Sequence, residues 1–186
     1  MNVLNVISGA LRLVGRDDVA EAIEAGEELT DEKLRVKRAF LTYLNAVTDE
    51  LARGYFPLVK EENLESDDGV FLLSKLSESP LRILRVYDRG KPVGWSILPN
   101  YLRCMAKKIT VKYEYAPARF SETDEYVYPS YEVSERLVQY GMAAEHCLVA
   151  GDTLSCTAWE NKYRDEIENL LARSPAAAHI PPRRWI

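Results

Sequence analysis

Few residues of this chain are suited to catalysis, since it holds only two histidines and three cysteines. Glu145, His146 and Cys147 are consecutive and combine an acid, a base and a nucleophile. Consecutive helix residues point about 100° apart, so these side chains do not converge on one site. A cysteine nucleophile also needs a base that the fold places beside it. We therefore expect Cys147 in the core, His146 on a solvated or interface face, no catalytic residue and no enzyme.

Motifs for phosphate, metal or acyl chemistry are missing from the sequence. It has no glycine-rich phosphate loop, no HExxH and no GxSxG. Cys104, Cys147 and Cys156 lack CxxC spacing, which argues against a disulfide framework or a zinc site and for a reducing compartment. An acidic stretch consists of Glu61, Glu62, Glu65, Asp67 and Asp68. It lacks EF-hand spacing and is interpreted as a solvated loop, so we expect no metal and no cofactor.

Charge argues against a protein that grips nucleic acid, because the formal net charge is -5. Arg103, Lys107 and Lys108 form a small basic patch, which we interpret as lysines that blunt a strand edge. Aromatic residues interleaved with charges offer an alternative, a base-stacking platform of a nucleic-acid or regulatory binding module. They are Tyr87, Trp95, Tyr113 and Tyr115. Cross-strand packing is the simpler explanation of the same residues.

Length and hydrophobicity set the class of protein. The chain has 186 residues, of which 47% are hydrophobic, enough to build one core. No apolar run approaches the roughly 20 residues of a membrane span. The first fifteen residues lack the basic start and cleavage site of a secretory signal. We expect one globular domain with no membrane contact.

Three helices are predicted in the first third of the chain. The first covers 3–14 and ends at Gly15, and the second runs to Gly26 with Asp17 or Asp18 as its cap. The third, over 31–53, begins after Thr30. Its apolar stripe is Val36, Phe40, Tyr43, Leu44, Val47 and Leu51.

The middle of the chain changes to a period of two, which indicates strands. Residues 88–91 have the turn chemistry of a hairpin, and residues 108–115 alternate apolar with polar side chains. We expect one antiparallel sheet of three or four strands over about 69–115, inserted between helical segments. Its aromatic residues Tyr87, Trp95, Tyr113 and Tyr115 are candidates for contacts between subunits.

Two further helices are predicted after the sheet, joined by about three residues and therefore antiparallel. Ser130 is the expected cap of the first, whose stripe includes Cys147 and Leu148, and Gly151 ends it. The expected fold class is α+β: a mainly α-helical bundle with an inserted small antiparallel sheet and an extended C-terminal arm. The helical domain covers 1–174 and the arm 175–186.

The C-terminal arm carries the most specific signal of the sequence. Pro181 and Pro182 fix φ and remove two backbone donors, so the segment is stiff and extended. Trp185 and Ile186 are apolar at a place where chains usually fray into water, which indicates docking on the domain or on a partner. The candidate arm residues are His179, Ile180, Pro181, Pro182, Arg183, Arg184, Trp185 and Ile186.

The order of these features resembles the head-to-tail connector (adaptor) proteins of tailed bacteriophages. The resemblance runs from residue 1 to about 173 and is carried by "RAFLTYLNAVTDELARGYFPL", "ITVKYEYAPARF", "SYEVSERLVQYGMAAEHCLVAGD" and "WENKYRDEIENLLA". Many short-tailed-phage members carry a Trp and a Phe-Ala pair after the long helix. This chain instead has Gly54, Tyr55, Phe56 and Pro57, which leaves the subgroup open.

The resemblance implies a structural role in the virion neck, with assembly in the host cytoplasm. Family members form a ring, typically twelve-fold, beneath the portal protein, and a C-terminal extension embraces the portal. Here residues 179–186 occupy that place. The implied partners are the portal protein, neighbouring copies of the chain and the next neck or tail protein, while genome DNA passes through without specific binding. A stopper or tail-completion protein of the neck is the nearest alternative.

Overall fold

The computed structural model describes residues 2–128 and 133–173. Over these residues the chain forms five α-helices and two small antiparallel sheets, which confirms the α+β class. The chain divides into two compact units. Among the described residues, the first is built from 2–56, 118–128 and 133–173, and it holds the helices. The second, residues 57–117, holds the strands, so helices do not dominate the fold as clearly as expected.

The first three helices follow the local sequence signals closely. They are α1 (Val3–Leu13), α2 (Asp17–Glu24) and α3 (Asp31–Gly54). Gly15, at φ 72°, follows α1 as predicted, and the Thr30 hydroxyl accepts a hydrogen bond from Lys33 N at 3.4 Å to cap α3. The prediction that Asp17 or Asp18 caps α2 is wrong. Both residues lie in its first turn, where the positive end of the helix dipole stabilises their negative charge.

The last two helices form an antiparallel hairpin of α4 (Glu135–Ala150) and α5 (Thr153–Arg173). Its direction follows from two pairs, because Tyr140 stacks on Trp159 at 5.7 Å while Cys147 and Cys156 line one pocket at the turn. Ser134 caps α4 by accepting from Leu137 N at 3.1 Å, and the predicted cap Ser130 lies outside the described residues. Gly151, at φ 76°, ends α4 as expected.

The helices α3, α4 and α5 pack closely where they meet. The α3 stripe buries Phe40, Leu44, Val47 and Leu51. Gly141 of α4 lies against this stripe, since a Cβ there would stand 2.8 Å from Val47 Cγ1 and 3.0 Å from Tyr163 Cε2. Glycine therefore sets how closely the three helices approach each other.

Residues 120–125, which follow the second unit in the chain, form hydrogen bonds and an ion pair with the first helices. The Asn45 amide donates to Phe120 O at 3.1 Å and accepts from Phe120 N at 2.7 Å, as a neighbouring strand would. Lys37 and Glu122 form an ion pair at 2.8 Å, and Asn2 forms an antiparallel bridge with Glu125. The return point of the inserted segment is thus fixed on α3 and α1.

Two sheets replace the single predicted sheet. The strands are β1 (Leu58–Glu65), β2 (Val70–Leu72), β3 (Pro80–Asp88), β4 (Lys91–Pro92), β5 (Trp95–Leu98), β6 (Tyr101–Cys104) and β7 (Lys108–Tyr115). Their orders are β1-β7-β3-β4 and β2-β6-β5. The structure places the first strand at Leu58, ahead of the expected start near residue 69. The loop interpretation of the acidic stretch is wrong for residues 61, 62 and 65, which lie on β1.

The predicted hairpin at residues 88–91 is present between β3 and β4. Arg89 (φ 47°) and Gly90 (φ 79°) both take left-handed backbone angles, as a two-residue hairpin turn that matches strand twist requires. After β4 the chain passes through Val93 and Gly94 into the other sheet. The second apolar run therefore pairs with β6 and not with β3.

The inner faces of the two sheets share one apolar cluster. It contains Leu64, Phe71, Leu76, Ile83, Val86, Leu102, Cys104, Ile109, Val111 and Tyr113. The predicted alternation of β7 is confirmed, with Ile109, Val111 and Tyr113 buried. Gly69 (φ 73°) turns the chain between β1 and β2, and a Cβ there would stand 2.3 Å from Cys104 O.

Candidate functional site

The predicted docking arm, residues 179–186, lies outside the described residues. The last described residue is Arg173, at the end of α5. The assignment of Trp185 and its neighbours to a partner contact therefore stays a prediction.

The four candidate aromatic residues do not form one surface. Tyr113 has 0% exposure and lies in the core of the second unit, so a contact between subunits does not fit its position. Tyr87 lies opposite Thr110, on the other face of the sheet, and Trp95 belongs to the other sheet. Tyr115 is half-buried and packs edge-on against Tyr113 at 6.4 Å. The base-stacking platform considered from sequence is therefore not assembled.

Glu62 is the centre of a polar cluster that the sequence does not reveal. Its carboxylate accepts hydrogen bonds from Ser77 N at 3.0 Å, from the Ser77 hydroxyl and from the Tyr113 hydroxyl. Lys60 Nζ donates to Ser77 Oγ and lies 3.4 Å from Glu62 Oε1. The partners are 15 to 51 residues from Glu62 in sequence, apart from Lys60, so no local spacing indicates the cluster.

The titration of this cluster follows from its hydrogen bonds. Donors from Ser77, then Tyr113, lower the pKa of Glu62 to about 2. Burial, then the hydrogen bond to Glu62, raises the pKa of Tyr113 to about 12. The cluster thus holds a carboxylate and a neutral phenol at neutral pH.

Lys60 and Ser77 are the residue types of a serine–lysine catalytic pair, but their surroundings differ from those of such a pair. Lys60 Nζ also lies 3.9 Å from Glu78, so the amine stands between two carboxylates. The amine is engaged in ion pairs there, whereas activation of a serine needs an adjacent group that acts as a general base. The cluster joins β1 to the segment before β3, and its geometry indicates a structural role.

His146 and Cys147 point to different surroundings, as expected for consecutive helix residues. Cys147 is buried, as predicted, and burial raises the pKa of its thiol. His146 is half-buried and packs against Phe40 at 5.1 Å and Tyr43 at 6.3 Å, so its face is not fully solvated, and the predicted alternative of an interface face stays a prediction. Burial, then the charge of Arg16, lowers the pKa of His146. The structure brings no nucleophile and base together here.

Two residues of the predicted basic patch, Arg103 and Lys107, line one groove, while Lys108 is paired with a carboxylate. Lys108 pairs with Glu65 at 2.7 Å, and its strand β7 is flanked by β1 and β3. Arg103 lies on β6, the middle strand of its sheet. The interpretation as edge-strand lysines is therefore wrong for these positions. Arg103 and Lys107 line an open groove of about 520 Å³ together with Asp67, Asp68 and Trp95, so its charge is mixed.

Exposed apolar side chains gather at the turn of the α4–α5 hairpin. Leu148, which the sequence placed on the buried stripe, is 42% exposed, and Val149 and Leu154 are 70% and 83% exposed. On the flank of the hairpin, Lys162 Nζ lies 4.2 Å from the Trp159 ring. Apolar exposure of this kind is typical of a contact surface.

A second exposed apolar surface is the strand β5. Its four residues, Trp95 to Leu98, are all exposed, and Ile97 reaches 52%. β5 ends its sheet, so one of its backbone edges faces away from β6. An uncharged edge strand is a ready template for pairing with another chain.

The described residues contain neither a metal site nor a helix suited to a membrane. No group of three or more histidine, cysteine or acidic residues in 2–128 and 133–173 is arranged to hold a metal ion. In the same part of the chain, no helix combines the length and apolar character that a membrane crossing requires. The chain matches no known family model, and no curated protein matches it significantly.

Proposed function

We propose that this chain is a structural connector (adaptor) subunit of a tailed bacteriophage and not an enzyme. It forms a ring under the portal and links the capsid vertex to the neck and tail, leaving a channel for DNA. In this proposal α1–α5 are the ring-forming body, residues 58–115 are an inserted β-unit, and residues 175–186 are the extended arm. The sequence resemblance supports the proposal over residues 1 to about 173.

One structural observation supports a contact protein over an enzyme. In the described residues, Glu62, His146 and Cys147 are each engaged inside their own unit, whereas apolar side chains are exposed at the hairpin turn. Leu154 is 83% exposed there. Burial of such side chains against a partner is favourable by about 25 cal/mol per Å² of apolar surface. Surfaces of this kind suit a protein that works by joining others.

The arm is the part of the chain that we assign to the portal. Pro181 and Pro182 restrict it before docking, which lowers the entropy lost on binding. Trp185 is the anchor, and Arg183 and Arg184 supply directional contacts, since these residue types dominate interface energetics. Repetition around a ring turns weak arms into a tight attachment.

The acidic balance of the chain fits a DNA channel. Each lysine or arginine contact with phosphate adds affinity, which would slow a genome that slides through the ring. The excess of acidic over basic residues, a net charge of -5, disfavours such contacts. We expect the surface that lines the channel to be neutral or negative.

The test is portal binding by a chain that ends after Ser174 and by the variant Trp185→Ala. Both should keep the circular dichroism spectrum and melting temperature of the full chain. Loss of the anchor should weaken binding by about 2–4 kcal/mol per subunit, because a buried tryptophan is a typical interface hot spot. Sedimentation of each variant with purified portal measures this, and Val127→Ala, at an exposed apolar side chain outside these surfaces, is the control. Undiminished portal binding by the truncated chain would overturn the arm assignment.

One observation favours the alternative of a nucleic-acid or regulatory binding module. Trp95, Arg103 and Lys107 line the same groove, which pairs an aromatic ring with two cations. Asp67 and Asp68 in that groove oppose phosphate binding. A gel shift with single strands at low salt separates the two functions, and the connector proposal expects no shifted band.

A further inference from the structure

The edge strand β5 lacks the charges and the proline found on β1 and β4, and like β2 it has only its short length to limit pairing with another strand. β1 carries Lys60, Glu61, Glu62 and Glu65, β2 has three residues, and β4 is Lys91–Pro92. Charges, short length and proline are the usual means by which an edge is protected from pairing. β5 has none of them except shortness, since its sequence is Trp-Ser-Ile-Leu.

Two of the four exposed side chains of β5, Trp95 and Ile97, lie on the core face of their sheet. Trp95 is opposite Cys104 and Ile97 is opposite Leu102, so these pairs share one face. Leu102 and Cys104 are 0% and 7% exposed, whereas Trp95 and Ile97 are 36% and 52% exposed. The apolar face thus continues beyond the part of the sheet that the other sheet covers.

We propose that β5 pairs antiparallel with β5 of a second copy of this chain, with Ser96 opposite Ser96 of that copy. This register places Trp95 opposite Ile97 twice, on the uncovered apolar face. Leu98 then lies opposite Gly94, where even an added Cβ would meet no atom within 4 Å, so the leucine has room. The strand is therefore complementary to itself.

The neighbouring symmetric register fits less well. Centred on Ile97, it places Trp95 opposite Pro99 and Ser96 opposite Leu98. Proline has no backbone N–H to donate, and the Trp95 and Ile97 cross-strand pairs are lost. The register centred on Ser96 keeps the two pairs of Trp95 with Ile97 and places no proline opposite a residue of β5.

The pairing produces a closed dimer with a six-stranded sheet. A twofold contact uses the same patch on both copies, so it ends at two subunits and does not propagate around a ring. We assign this dimer to the subunit before it binds other proteins. The dimer covers the uncharged edge of β5. The inference is independent of the connector proposal, because its test contains no portal and no other phage protein.

The test is sedimentation of the full chain and its Ser96 variants over a concentration series. The wild type should pass from monomer to dimer. Ser96→Lys should stay monomeric, since like charges directly opposite each other in a strand pair are destabilising. Ser74→Lys, at another exposed serine in the 3₁₀ turn Leu73–Lys75, should dimerise like the wild type.

A charge-swap experiment separates disrupted pairing from disrupted folding. Ser96→Glu alone should also be monomeric, while an equal mixture of Ser96→Lys and Ser96→Glu should form the mixed dimer. A wild type that is monomeric at every concentration overturns the proposal. So does a Ser96→Lys variant that dimerises as well as the wild type, or a mixture that remains monomeric.

Discussion

Glu62 shows how one side chain can join distant parts of the β-unit. It accepts hydrogen bonds from Ser77 and Tyr113, residues that lie 15 and 51 positions away. Tyr113 brings a hydroxyl into an apolar core, and burial without a partner would be costly. The pairing satisfies the phenol and keeps the carboxylate charged.

The first prediction concerns the variant Glu62→Gln, which removes the charge from this cluster. It should lower the free energy of unfolding at pH 7 by about 1–3 kcal/mol, because hydrogen bonds to a charged acceptor are lost. Urea unfolding measures the difference. Glu61→Gln is the matched control, since Glu61 forms an exposed pair with Lys112 and should change stability by about 0.5 kcal/mol or less.

The pH dependence of that difference has a definite sign. The pKa of Glu62 falls from its ordinary 4.5 to about 2 in the folded protein. Its contribution is therefore complete above pH 4.5 and declines as the pH falls from there towards 2. The gap between wild type and Glu62→Gln should narrow over this window. A gap that stays constant down to a pH of about 2.5 would contradict the assigned role.

At the scale of elements, Gly141 controls the packing of three helices. Gly141→Ala adds a methyl 2.8 Å from Val47 and 3.0 Å from Tyr163. Overpacking of this kind typically costs about 1–3 kcal/mol, which exceeds the gain of about 1 kcal/mol in helix propensity.

Thermal unfolding of Gly141→Ala should therefore show a lower melting temperature than the wild type. Gly54→Ala is the control, because Gly54 ends α3 and a Cβ there meets nothing within 4 Å. Its melting temperature should be unchanged or higher. A Gly141→Ala variant as stable as Gly54→Ala would show that the three helices can separate without cost.

The elements that were predicted well depend on local signals. Thr30 caps α3 through a residue three positions away, Gly15 and Gly151 take left-handed angles, and the 88–91 turn forms from its own residues. Strand partners depend on distant residues, and Leu58 pairs with Tyr115 across the whole inserted unit. Sequence periodicity therefore identified β7 but not β1 or the division into two sheets.

Residue exposure was predicted less well than the elements that carry it. Leu148 was placed on the apolar stripe of α4, yet it is 42% exposed, while its neighbour Cys147 is buried. Tyr113 was a candidate for contacts between subunits, but it lies in the apolar cluster that the two sheets share. Periodicity predicts which side chains share a face. Which face is buried depends on the second layer that packs against it.

At the scale of the whole molecule, the connector proposal depends on surfaces that can contact other chains. Its most unusual residues, two prolines, two arginines and a tryptophan, stand in the last six positions of the sequence. The described part of the chain adds two exposed apolar surfaces, at β5 and at the α4–α5 turn. Together they fit a protein whose work is to hold other chains.

The most direct test of the connector proposal is an image of the phage neck at a resolution that traces side chains. We expect a ring of this chain directly beneath the portal, with Trp185 of each copy buried against portal residues. Purified particles that lack the chain, or a ring in which Trp185 packs on its own helices or faces solvent, would contradict the proposal.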